Sequence, residues 1–130
     1  MTDRDRPCKE RIAKELKSTI QSLSEVWNKY NKDPDSPDFY EYGLSFDYVE
    51  PNTFQGQRRG YFRYQLSWGG PSDEFRYYVD ERLQPTKITY NFMDWWDGAE
   101  RELSGKNERL LTEIWESYFS EFAQQTMEQR

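Results

Sequence analysis

The sequence predicts an α+β fold: a four-stranded antiparallel meander with N-terminal and C-terminal helices packed on one face. Three observations carry this expectation. Apolar residues recur every three or four positions before residue 32 and after residue 107, and they alternate with polar ones between residues 43 and 93. Turn-forming residues punctuate the alternation at short intervals, which favours hairpins over parallel crossovers.

The first helix is read over residues 7–31. Ile12, Leu16, Ile20, Leu23, Trp27 and Tyr30 form one stripe, and Pro7 suits a first turn where its missing N–H is not needed. The stripe is narrow, close to a heptad seam, so it either covers the sheet of its own chain or joins a homodimer. Asn31 to Asp38 holds two prolines and three aspartates and reads as a connection.

Four strands follow. Leu44, Phe46 and Tyr48 alternate inward in the first, and Pro51 ends it. Phe62, Tyr64, Leu66 and Trp68 do so in the second, with Gly69-Gly70-Pro71-Ser72 as its turn. Phe75, Tyr77 and Val79 mark the third, and Ile88, Tyr90 and Phe92 the fourth. Asp97-Gly98-Ala99-Glu100 has the form of a capping box, so a short helix is expected from there to Gly105. Asn107 then caps a last helix with a wide stripe of Leu110, Leu111, Ile114, Trp115, Tyr118, Phe119 and Phe122.

Composition narrows the chemistry. Of 130 residues 45 are apolar, and 23 of those are aromatic (5 Trp, 10 Tyr, 8 Phe). Leu, Ile, Val and Phe reach only 18%, a level associated with disorder when net charge is high, but the net charge is a modest −6. Aromatic rings, each able to bury roughly 150–250 Å², replace the missing aliphatic area. One domain over residues 1–130 is expected, with 1–6 and 124–130 frayed. The chain has no histidine and one cysteine, Cys8. That excludes histidine-dependent nucleophile systems and ordinary zinc or haem ligation, so neither enzyme activity nor a cofactor or metal is expected. Cys8 reads as an inert thiol. No apolar run nears the ~18 residues of a membrane span, and the charged start lacks a signal-peptide core, so a cytoplasmic protein is expected.

Charge is unevenly placed. Residues 1–32 sum to +3, 33–60 to −4, 61–90 to zero and 91–130 to −5. An acidic chain is disfavoured for phosphate neutralisation, so no direct nucleic-acid contact is expected and a protein partner with a basic surface is.

Two residue groups are candidate binding sites. Tyr61, Arg63, Gln65, Arg76, Tyr78, Thr89 and Asn91 should share the wet face of the sheet, and Tyr and Arg are types enriched at binding hot spots. Cross-strand pairing alone would also explain them. Arg58-Arg59-Gly60-Tyr61-Phe62-Arg63-Tyr64 approaches an RNA-recognition signature but has Phe62 where a small residue is required. The second group is acidic and aromatic: Asp94, Trp95, Trp96 and Asp97, with Glu113 and Glu116 on the last helix. Carboxylates beside indoles suit an acid pair or a platform for a sugar ring.

Three stretches, Tyr42 to Val49, Gly60 to Ser72 and Asp94 to Ala99, carry a resemblance. In them the chain resembles small acidic proteins encoded on bacterial plasmids and phages. The resemblance supplies no catalytic residue. It implies a mobile-element protein that inhibits host defence or a nucleic-acid-binding protein, through acidic surfaces. The alternative is a carbohydrate- or small-ligand-binding module built on exposed Trp and Tyr.

Overall fold

The computed structural model describes residues 6–130, so the expected fraying of residues 1–5 lies outside the described residues. It is an α+β fold with helices at both ends of an antiparallel sheet, and the sheet has five strands where the sequence predicts four.

Helix α1 spans Cys8–Lys32. Ile12, Leu16, Leu23 and Trp27 of its stripe are buried in the chain's own core. Lys29 and Lys32 stand in the last turn, where cations oppose the negative end of the helix dipole. The following connection holds a short helix the sequence does not signal, α2 (Asp38–Tyr42). Its anchor is Phe39, buried with its ring 4.9 Å from Trp27 and 5.3 Å from Tyr30.

Strands β1 (Ser45–Val49), β2 (Tyr61–Ser67), β3 (Ser72–Val79), β4 (Pro85–Asp94) and β5 (Asp97–Glu102) lie in chain order, each antiparallel to the next. Phe62 faces Tyr77, which faces Ile88, and Tyr64 faces Phe75, which faces Tyr90. These pairs form the covered face. α1 lies over β4 and β5. The C-terminal helix covers β1 to β3, with Phe119 stacked 4.2 Å from Phe46 and Trp115 4.9 Å from Tyr77. That helix runs continuously as α3 (Gly105–Ile114), a π-helical turn (Trp115–Phe119) and α4 (Ser120–Glu128).

Two smaller expectations fail: Ser104, in extended backbone, stands at the N-cap of α3 with Asn107 inside the helix, and Leu44, just before β1, is exposed rather than inward. Two larger ones are corrected. The capping box at Asp97 does not open a helix: Asp94 pairs with Asp97 across a two-residue turn, and the chain returns along β4 as β5. In Asp97–Glu102 only Ala99 is half-buried. With no apolar alternation to read, the strand is specified by backbone pairing at the sheet edge. Asp97 does cap a helix, but a distant one. Its Oδ2 accepts the Cys8 N–H at 2.7 Å, closing the first turn of α1 from 89 positions away. The second correction is Trp68. The β2–β3 register shifts between Gln65 and Ser67, and an extra residue there reverses the parity of alternation. Leu66 is buried, whereas Trp68 stands 76% exposed.

Candidate functional site

The uncovered face of the sheet is assembled in rows by the same register. Asp47 faces Arg63, Arg63 faces Arg76, Arg76 faces Thr89, and Thr89 faces Glu102. The next row joins Gln65, Glu74, Asn91 and Glu100. Toward the β1–β2 loop, Val49 faces Tyr61, and Tyr78 faces Lys87.

Two rims turn this face into a groove of about 790 Å³. One is the loop over residues 50–60, which Gln57 holds together. Its Oε1 accepts the Thr53 and Phe54 N–H groups at 3.0 and 3.1 Å, while its Nε2 donates to the Glu50 and Arg59 carbonyls at 2.9 and 2.7 Å. The loop thereby delivers Phe54, Arg58 and Arg59 to the groove. The other rim is formed by Trp68 and Trp95. Trp95 has φ +58°, so the β4–β5 turn places a bulky residue in the left-handed region that normally suits glycine. It is 87% exposed.

Five cations line the groove, from Arg58, Arg59, Arg63, Arg76 and Lys87, against one lining carboxylate, Glu74. Arg63 is held by Asp47 through two bonds of 3.0 and 2.7 Å, and Arg76 by Glu74 at 2.7 Å. Lys87 reaches Glu102 only at 4.0 Å. Among the described residues Arg58 and Arg59 pair with no carboxylate, and the Arg59 guanidinium lies 5.1 Å from the Tyr78 ring centre.

Beneath these long side chains the floor is buried. Tyr61, Gln65, Thr89 and Asn91 are on the open face as the sequence predicts, yet none is solvent-exposed. Arg76 covers the Tyr61 ring, its Cζ 4.6 Å from the centroid, and Tyr78 flanks it at 5.6 Å. The Gln65 amide fills the bulge, donating to the Ser67 and Asp73 carbonyls at 2.7 and 3.1 Å. Thr89 donates to Asn91 Oδ1, and Asn91 to Glu100. The Tyr61 hydroxyl alone on this floor has no hydrogen-bond partner among the described residues. Burial raises its pKa above the ordinary phenol value, against the lowering effect of Arg76, so at neutral pH it remains a hydroxyl and a donor.

The acidic and aromatic group divides between places. Asp94 is ion-paired to Arg11 at 2.6 Å and Asp97 caps α1, so both carboxylates tie the hairpin to the helix. Trp95 and Trp96 form the exposed tip of that hairpin. Glu113 accepts the Trp27 Nε1–H at 2.7 Å, and Glu116 is exposed on the C-terminal helix. Arg11 and Trp27 lie 16 residues apart on α1, about 24 Å at the helical rise. Cys8 is buried, and burial together with Asp97 raises its thiol pKa.

The residues that the sequence pattern leaves outside the site are Phe54, Gln57, Arg58, Arg59, Trp68 and Lys87. The paired arginines beside Gly60 were the available signal. A smaller concavity of about 280 Å³ lies between α2, β1 and the C-terminal helix. It is lined by Tyr40, Leu44 and Phe122 among other uncharged residues. Among the described residues no three Cys, Asp or Glu side chains gather as metal ligands, and no helix is long and apolar enough to cross a membrane. No protein-family model matches the chain, and no curated protein or solved structure matches it.

Proposed function

We propose that the chain is a non-enzymatic binding protein that engages an anionic partner through the open face of its sheet. One observation carries the reading: a groove whose cations outnumber the carboxylates paired with them, in a chain of net charge −6. Like charges gathered on one face repel, and a bound anion relieves that repulsion. The groove also collects Phe54, Trp68 and Trp95, three of the large apolar side chains that the fold leaves exposed. An acidic surface that meets a basic groove on a host protein has weaker support. Of the four carboxylates named for that reading, Asp94, Asp97 and Glu113 are each engaged within the chain and Glu116, among the described residues, is not. The reading then rests on the other exposed carboxylates of residues 33–60 and 91–130.

Titrating a labelled heparin-type polyanion at low salt tests the proposal. Saturable binding that weakens with salt is expected, and Arg58→Glu/Arg59→Glu should abolish it. If no polyanion binds, or if the charge reversal changes nothing, the proposal fails. The exposed indoles favour a second reading, a neutral glycan. Fluorescence quenching by such a glycan, unchanged by the charge reversal, would decide for it.

A further inference from the structure

We infer that the partner is single-stranded nucleic acid, its phosphates held at the Arg58–Arg59 end of the groove and its bases stacked on the rings at the Trp68–Trp95 end. This rests on the anionic-partner reading and narrows it. The first argument is shape. The groove is lined from Tyr61 at the start of β2 to Trp68 just beyond its end, and Tyr61 to Ser67 alone spans about 20 Å at the rise of a strand. A single small anion would occupy one end of such a trough, whereas a chain-like ligand fills it.

The second argument is the separation of chemistries. The cations without close carboxylate partners, Arg58, Arg59 and Lys87, belong to the β1–β2 loop and the row beside it. The far rim offers two indoles, 76% and 87% exposed. An acidic peptide would satisfy the arginines and leave those rings in water. A polynucleotide repeats both an anion and a planar base, and each base has a π-face for an aromatic ring. Bases become available to such a platform only when unstacked, which selects a single strand over a duplex.

The third argument is the Tyr61 hydroxyl. Tyr61 is 1% exposed and lines the groove, and its hydroxyl has no partner among the described residues. A buried donor without an acceptor is costly, and a phosphate or base oxygen entering beside Arg76 would supply one. The expectation against nucleic acid rested on net charge. Binding depends on the local field, and the distant carboxylates act mainly by lowering affinity at low salt.

The test is fluorescence anisotropy with a labelled single-stranded oligonucleotide, the same backbone without bases, the duplex, and polyglutamate. Two to three phosphate contacts predict a logarithmic salt slope of roughly −1.4 to −2.1, so a four-fold rise in salt weakens binding about ten-fold. Arg58→Gln/Arg59→Gln should flatten that slope by about 1.4. Trp68→Ser or Trp95→Gly should weaken binding at least five-fold without changing the slope. Tyr61→Phe should weaken it several-fold with urea stability kept or raised. Equal binding of the base-free strand, of the duplex or of polyglutamate would overturn the single-stranded nucleic-acid assignment and leave the anionic-partner reading standing. If none of the four probes binds, both fall.

Discussion

Replacing Trp95 by glycine should leave the fold as stable as before while weakening ligand binding. The magnitude follows from three terms. A non-glycine residue in the left-handed region costs about 1–2 kcal/mol, and Trp95 sits at φ +58°. Glycine there relieves that strain but costs about 0.5–1 kcal/mol through the freedom it restores to the unfolded chain. Trp95 is 87% exposed, so the side chain hides only about 30 Å² and contributes under ~1 kcal/mol by burial. The terms cancel to within about 1 kcal/mol. The same truncation at Trp115, which is fully buried against Phe62 and Tyr77, should cost about 3–5 kcal/mol. Urea unfolding followed by far-ultraviolet circular dichroism avoids the loss of an indole signal. The Trp95→Gly midpoint should stay within about 0.5 M of the parent for a slope near 2 kcal/mol/M. A loss above about 2 kcal/mol would refute the reasoning, because the indole would then be a structural element.

Other perturbations test the way the elements are held together. Arg11 and Asp94 are 8% and 12% exposed at 2.6 Å, so Arg11→Met should cost about 3 kcal/mol, whereas Arg11→Met/Asp94→Val should recover most of it. A coupling below about 0.5 kcal/mol in that double-mutant cycle would contradict a buried pair. Tyr77→Phe removes the 2.9 Å bond to the Leu111 carbonyl, which still accepts the Trp115 N–H, so a loss near 1 kcal/mol is expected by thermal or urea unfolding. A Cβ at Gly43 would collide with the buried Tyr64 ring, so Gly43→Ala should destabilise by about 1–3 kcal/mol despite its ordinary backbone angles. The Cys8 N–H, and next to it Gly98, hold the Asp97 pKa below its ordinary 3.8. Its contribution is therefore present above pH 3.8 and lost as pH falls through the lower folded value. Asp97→Asn should flatten the acid limb of the stability profile, and an unchanged limb would remove Asp97 from that role.

Much of the covered face was legible because burial leaves a periodic trace. Ile12, Leu16, Leu23 and Trp27 recur at helical spacing, and Phe62, Phe75, Ile88 and their partners two positions on alternate as strand residues do. β5 left no such trace, since an edge strand that buries little is specified by its neighbour's backbone. The groove was half legible. Tyr61, Arg63, Arg76 and Tyr78 could be placed on one face by parity, but their depth could not, because Tyr61 is buried by side chains from β3.

The sequence by itself determined the class of fold, the long helices at the two ends, the first four strands between them, and the absence of histidine chemistry. Those follow from local periodicity and residue identity. The tertiary structure decided which of the candidate carboxylates are engaged within the chain, where Trp68 points, and that five cations of an acidic chain line one groove. A bulge reversed the parity of Trp68, and Asp97 capped a helix 89 positions away. The loop organised by Gln57 carried Arg58 and Arg59 over the sheet. Each of these outcomes depends on contacts between segments distant in the chain, and no local pattern encodes them.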